Sequence, residues 1–217
     1  GMGGTVHQDG KLKVNTEKGV QALQHAVDLI HKYEITPKSV PASETDGNRQ
    51  TFQNGDTLFM RNWPYAISVM NEEGSAVKDK FDVAPLPTHE DYPDAKNSCL
   101  GGWNIFINKF SQNTEAAQKF ASFMASKEVQ AQLATEFSRL PVRADIYEEE
   151  QYQEKFPQLK LYQDILTRTS TRPPTPKYTT FSQILYTEVN GALVQNKSPQ
   201  EALNAAQKKI DKKVNDA

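Results

Sequence analysis

With 217 residues the chain is long enough for one full domain or two small lobes, and at that size folding removes roughly 70% of the unfolded surface from water. Its 25 Lys and Arg against 27 Asp and Glu give a net charge of −2 and no basic face, which excludes nucleic acid as a partner. At 37% hydrophobic and 24% charged residues the composition is that of a globular protein, and no apolar run approaches the roughly 20 residues of a membrane-spanning helix.

Hydrophobic periodicity predicts a first amphipathic helix over residues 16–33, with Val20, Leu23, Val27 and Ile30 on one face. A second, shorter helix over 44–54 turns Phe52 inward and stops at Gly55, the residue type that a left-handed cap needs. Residues 57–61 (T-L-F-M-R) read as a short buried strand, after which Asn62 is placed to cap a helix that carries Pro64 in its first turn. Trp63 and Tyr65 therefore fall at a strand-to-helix junction. Residues 81–87 (F-D-V-A-P-L-P) begin as a strand and end in two prolines, as an extended crossover would. A polar loop leads to a glycine pair and to residues 103–108 (W-N-I-F-I-N), whose apolar alternation fits a half-buried strand.

Further along, Ser111 is placed to cap a helix over 114–125 with Ala117, Phe120, Ala121 and Met124 inward. Ser126 restarts another helix that runs to Phe137 and is broken by Leu140-Pro141. A charged helical piece at 145–150 and a helix from Pro157 to Arg168 follow. In the loop 171–178 (T-R-P-P-T-P-K-Y) three prolines fix their own φ and restrict the residue before each, so it is extended and rigid. Two helices close the chain, 180–195 and 198–213. The second opens S-P-Q-E, a capping box of Ser198 and Glu201 with Pro199 at the first helical position. The chain has no internal repeat.

The residues give enzyme chemistry little support. His7, His25, His31 and His89 include no pair at the four-residue spacing of a helical zinc site, so neither metal nor cofactor is expected. Glu148, Glu149 and Glu150 are neighbours that point in different directions on a helix and read as a solvated face rather than a catalytic pair. Nucleophile elbows, P-loops and dinucleotide fingerprints are absent from the sequence. The single cysteine, Cys99, excludes an intrachain disulfide and reads as a small buried or half-buried residue.

What remains is a concentration of aromatic and polar residues at junctions: Trp63, Tyr65, the run Gly101, Gly102 and Trp103, and Arg172 beside its prolines. A sugar presents apolar C–H faces and a rim of hydroxyls, so its site needs flat aromatic platforms and a few hydrogen-bonding groups. This set contains both kinds, although a tryptophan after a strand serves equally well as a core anchor.

Residues 52–66 (F-Q-N-G-D-T-L-F-M-R-N-W-P-Y-A) closely resemble a motif of the family 1 extracellular solute-binding proteins, the receptors of ABC sugar importers, and in particular of their trehalose/maltose branch. The resemblance continues in order through 82–87 (D-V-A-P-L-P), 101–107 (G-G-W-N-I-F-I), the helix 115–130, 139–143 (R-L-P-V-R), 172–178 (R-P-P-T-P-K-Y) and 198–203 (S-P-Q-E-A-L). It implies a helix-rich α/β chain that forms part of a two-lobe, periplasmic-binding-protein type II-like fold. Residues 1–83 and 141–217 would belong to the C-terminal lobe, and 84–140 would hold the hinge crossovers and a segment of the N-terminal lobe.

The resemblance further implies a non-enzymatic carbohydrate-binding receptor that delivers a di- or oligosaccharide to the membrane permease subunits of an ABC importer. Its location would be periplasmic or extracellular, with lipid anchoring as one mode of attachment. Trp63, Tyr65, Gly102, Trp103 and Arg172 match the family's sugar-binding positions. A receptor of this kind begins with a signal peptide and most of the N-terminal lobe of the same polypeptide. The expectation is therefore a C-terminal fragment with half of the cleft, and the alternative is a helical interaction module without sugar binding.

Overall fold

The computed structural model describes residues 1–216. The chain opens with β1 (His7–Gln8) and β2 (Lys11–Leu12) and continues through α1 (Glu17–His31), α2 (Thr45–Gln53), α3 (Ala66–Met70), β3 (Ser98–Cys99), α4 (Thr114–Met124) and α5 (Lys127–Phe137). There follow α6 (Ala144–Glu148), α7 (Glu150–Lys155), α8 (Leu159–Thr167), β4 (Thr169–Ser170), α9 (Tyr178–Leu193) and α10 (Pro199–Ile210). The fold is helix-rich α/β.

Local chemistry explains most helix ends. The Thr16 hydroxyl accepts the Gly19 N–H at 3.1 Å, and Ser126 does the same for Val129. Gly19 is required for a second reason: a Cβ there would lie 2.4 Å from the Val14 carbonyl, so only glycine lets the first turn of α1 approach the segment that follows β2. At the end of α2 the Gly55 N–H donates to Phe52 and the Asp56 N–H to Thr51, with Gly55 at φ +86°, which is a Schellman closure. The capping box of α10 is present in full. Hydrogen bonds from the Ser198 N–H and hydroxyl hold the Glu201 carboxyl below its usual range. β1 and β2 form an antiparallel hairpin, His7 opposite Leu12 and Gln8 opposite Lys11, across Asp9 and Gly10, both at positive φ. Asp-Gly suits this two-residue loop because both positions must be left-handed.

The chain divides into two compact units. The first comprises Gly1–Glu44, Pro87–Cys99 and the stretch from Ser170 on. Leu12 and Val14, Leu23 and Val27 of α1, Phe181, Ile184 and Ala192 of α9, and Ala202, Leu203, Ala206 and Ile210 of α10 form its core. Two amides fasten the start of the chain to its end. Gln207 accepts the Val14 N–H at 2.8 Å and donates to the Leu12 carbonyl, while Asn215 accepts the Leu12 N–H at 2.9 Å and donates to the same carbonyl. The two side chains do for residues 12–14 what a neighbouring strand would do.

The second unit comprises Thr45–Leu86 and Leu100–Thr169. Its core joins Ile67 of α3, Ala131 and Ala134 of α5, Ile146 and Tyr147 of α6, Phe156, and Leu159 of α8. The boundaries of these units do not coincide with the lobe limits at 83/84 and 140/141 that the resemblance implies.

Several expectations need correction. Residues 57–61, 81–87 and 103–108 are not strands among the described residues, and Leu58 lies at a bend. A strand exists only where a neighbour shares its hydrogen bonds, and local alternation cannot supply that neighbour. Leu58 and Phe59 are exposed rather than buried. α4 is capped at Asn113 without a side-chain bond, and Ser111 instead accepts the Asn113 N–H. Phe120 is 59% exposed, since α4 meets no surface broad enough to cover its whole apolar stripe. Cys99 is exposed rather than buried.

One buried charge stands in the first unit. The Glu188 side chain is 1% exposed, and its two oxygens accept separately from Lys197 and Lys209, which hold its pKa below the usual carboxylate value. Removing one partner of such a group leaves the rest uncompensated. Glu188→Ala is expected to cost about 2 kcal/mol, less than a fully enclosed pair because both ammoniums return to water. Because the folded pKa is depressed, the contribution is complete above the unfolded value of about 4.5 and is lost as pH falls below it. Thermal melts across that range should fall steeply for the parent chain and more gently for Glu188→Gln.

Candidate functional site

Short-range geometry presents Trp63 and Tyr65. The Asn62 side chain accepts the Trp63 N–H at 2.8 Å, fixing the turn, and the Trp63 carbonyl accepts the Ala66 N–H that starts α3. α3 buries Ala66, Ile67 and Met70, the last at 1% exposure, so the short helix is anchored from beneath. Trp63 is left 48% exposed with the Arg61 guanidinium 4.8 Å from its ring, and Tyr65 is half-buried with the Arg139 guanidinium 5.5 Å from its ring. Each aromatic thus carries an arginine against its π system.

Arg139 owes its place to a pinned turn. Ser138 closes α5 in the left-handed conformation, and the Arg139 N–H returns to the Leu133 carbonyl at 3.0 Å. The Val142 N–H donates to Gln130, and the buried Tyr147 hydroxyl donates to the Pro141 carbonyl at 3.0 Å. Burial pushes the Tyr147 hydroxyl up to about 12, so it remains a donor at any physiological pH. Beside this turn Lys127 bonds Glu149, and Arg143 forks onto Asp145 through two 3.0 Å contacts. These bonds hold both carboxyls below their usual range. Glu149 is therefore an ion-pair partner rather than a purely solvated charge.

Gly102 and Trp103 lie in the same compact unit as Trp63 and Tyr65. Trp103 is 94% exposed, and a Cβ on Gly102 would meet nothing within 4 Å. Arg172 belongs to the first unit, on the proline loop, with its guanidinium 5.6 Å from the Tyr178 ring. Four of the five candidates thus share one unit. Arg61 and Arg139 were not among them. Arg61 lies two places before Trp63 in the sequence, whereas no local signal links Arg139 to Tyr65.

What Trp63 and Tyr65 with their arginines offer chemically is stacking area and fixed guanidinium donors. No group of three or more His, Cys, Asp or Glu gathers as a metal site among the described residues. A groove of about 630 Å³ between α9 and α10 is lined by Lys208, Lys209, Lys212 and Lys213 and by none of the five candidates. Among the described residues no helix is long and apolar enough to cross a membrane.

Burial separates the anchor from the displayed residues. Trp103→Ala is expected to change unfolding free energy by no more than about 0.5 kcal/mol, whereas Met70→Ala should cost about 3 kcal/mol by leaving a cavity under α3. Denaturant unfolding of both variants measures the contrast.

The profile of the bacterial extracellular solute-binding proteins matches residues 3–158. A "Probable ABC transporter-binding protein" of Deinococcus radiodurans is 32% identical over 207 residues, which is 94% of this chain and 48% of that protein. Among solved structures, maltose-bound MalE3 of T. maritima superposes with a TM-score of 0.89 at 34% identity, covering 97% of this chain and 54% of that one. The GacH receptor of Streptomyces glaucescens, solved unliganded and with acarbose, superposes at 0.86 and 26% identity over 99% of this chain and 55% of its own. The chain spans about half the length of these relatives. The family profile over residues 3–158 and the likeness to about half of each of these receptors agree: the chain belongs to the bacterial extracellular solute-binding protein family.

Proposed function

We propose that this chain forms half of the cleft of a carbohydrate receptor that serves an ABC importer, with Trp63, Tyr65, Gly102, Trp103 and Arg172 as its sugar-contacting residues. The observation that carries the reading is an indole, Trp103, held almost wholly in solvent beside an unobstructed Gly102. A large aromatic left bare costs hydration free energy unless something flat and apolar covers it, and the C–H face of a sugar is such a cover. Similarity to a maltose-bound structure at 34% identity and to an acarbose receptor at 26% supports a di- or oligosaccharide as the ligand.

In this reading residues 1–83 and 141–217 are parts of the C-terminal lobe, and 84–140 carry the hinge crossovers and a piece of the N-terminal lobe. The rest of that lobe comes from the same polypeptide. Lobe closure over the sugar presents a surface to the permease, and the ligand favours the closed state by its greater affinity for it. The receptor works outside the cytoplasm, lipid-anchored or free, and performs no chemistry on its cargo. Trp63 stacks directly on the ligand, while Tyr65 borders it and packs mainly against its own lobe.

Tryptophan fluorescence of the complete gene product, titrated with maltose and trehalose, tests this. Saturable quenching is expected, with a loss of at least about tenfold in affinity for Trp103→Ala, the size of one stacking platform. Unchanged affinity in that variant removes Trp103 from the site. This chain alone should bind each sugar far more weakly than the complete product, because it supplies only part of the contacts.

A further inference from the structure

The fold fixes Arg139 in place and leaves its donors unused. Arg49 donates to Asp46 and Gln53, and Arg143 forks onto Asp145. The exposed Arg139 guanidinium, 5.5 Å from the Tyr65 ring, has neither a hydrogen-bond acceptor nor a carboxylate partner among the described residues. Arg61 on Trp63 and Arg172 on Tyr178 are placed in the same way, each against a ring with its donors unspent. Arg172 already stands among the proposed sugar-contacting residues. Arg61 reaches its ring by lying two places away in sequence, whereas the turn that closes α5 brings Arg139 to Tyr65 across 74 positions.

A guanidinium stacked on a ring uses its flat face and keeps its five N–H groups, which lie in its plane, for other acceptors. The backbone beneath this one is held by the left-handed Ser138, by the Arg139 N–H bond to the Leu133 carbonyl and by the Val142 N–H bond to Gln130. Ordering the side chain on binding therefore costs little. The other candidates of the second unit offer mainly surface: two indoles with one N–H each, a phenol and a glycine. A sugar laid on such rings still needs donors for its rim of hydroxyls.

We propose that Arg139 is a further ligand-contacting residue, which donates through two N–H groups of its fork to a pair of hydroxyls on adjacent carbons of the sugar that borders Tyr65. Parallel N–H groups suit two neighbouring oxygens, and a single ammonium cannot reproduce them. Arg139 thereby selects a sugar ring that carries both hydroxyls at that place, since the loss of either leaves an N–H without its acceptor. The inference rests on the carbohydrate reading and adds to it the group that reads the hydroxyl pattern of the ligand.

Titration calorimetry of the complete gene product with maltose, trehalose and their monodeoxy derivatives provides the test. Arg139→Ala is expected to melt within about 1 °C of the parent, as suits an exposed side chain without a hydrogen-bonded partner, and to bind the preferred sugar at least about tenfold more weakly. Arg139→Lys should stay at least about fivefold weaker than the parent, because it keeps the charge and loses the fork. Two monodeoxy derivatives, each lacking one of two adjacent hydroxyls, should bind the parent about tenfold more weakly than the intact sugar, yet bind Arg139→Ala within about twofold of it. Unchanged affinity in Arg139→Ala overturns the proposal and leaves the carbohydrate reading standing. A loss in that variant that is equal for the intact sugar and every deoxy derivative makes Arg139 a positioning residue for Tyr65 and overturns the contact. A parent that binds neither maltose nor trehalose overturns both readings.

Discussion

The insertion of Ile67 and Met70 beneath α3 is the constraint on which the display of Trp63 and Tyr65, two of the candidate residues, depends. A five-residue helix is too short to hold itself together, since nucleating one turn costs more than its few hydrogen bonds return. Burial supplies the difference. With Met70 enclosed and Ile67 joined to the core of α5, α6 and α8, the first turn is fixed and Trp63 and Tyr65 inherit that fixity. The Asn62 turn then sets where the indole begins.

Arginines complete the positioning. Arg61 and Arg139 lie against the rings of Trp63 and Tyr65, and Arg139 is held by a turn that ties α5 to α6 through the Gln130, Pro141 and Tyr147 contacts. A guanidinium on one face of a ring limits its rotation and directs donors toward whatever approaches the other face. Recognition by stacking needs such preordered rings, because ordering a loose aromatic on binding would consume part of the affinity.

Local chemistry in this sequence is highly legible and distant chemistry is not. The helices over 17–31, 127–137 and 199–210 lie within a few residues of where periodicity and caps put them, because Thr16, Ser126 and Ser198 act within one turn of themselves. Gly55 closes α2 for the same reason. The hairpin across Asp9 and Gly10 carried an equally local signal but had no alternating apolar run to draw the eye. The segments 57–61 and 103–108 show the converse. Their pattern is that of strands, yet strand pairing is settled by residues far away in sequence, and Phe120 is exposed on the same account. Of the candidate site, the aromatic residues were readable from ordered motifs, whereas the stacking of Arg139 on Tyr65 depends on a fold that brings together residues 74 positions apart.

The amide clamp of the first unit also bears on when the molecule takes shape. Its hydrogen bonds join residues 193 to 203 positions apart, Val14 to Gln207 and Leu12 to Asn215. Contacts of that separation form last, both because loop closure costs more entropy and because a nascent chain emerges from one end. The second unit draws in this chain on residues between Thr45 and Thr169, which all precede the clamp's second half. Synthesis therefore imposes an order: residues 45–169 emerge before Gln207 and Asn215, and the first unit waits on those two amides.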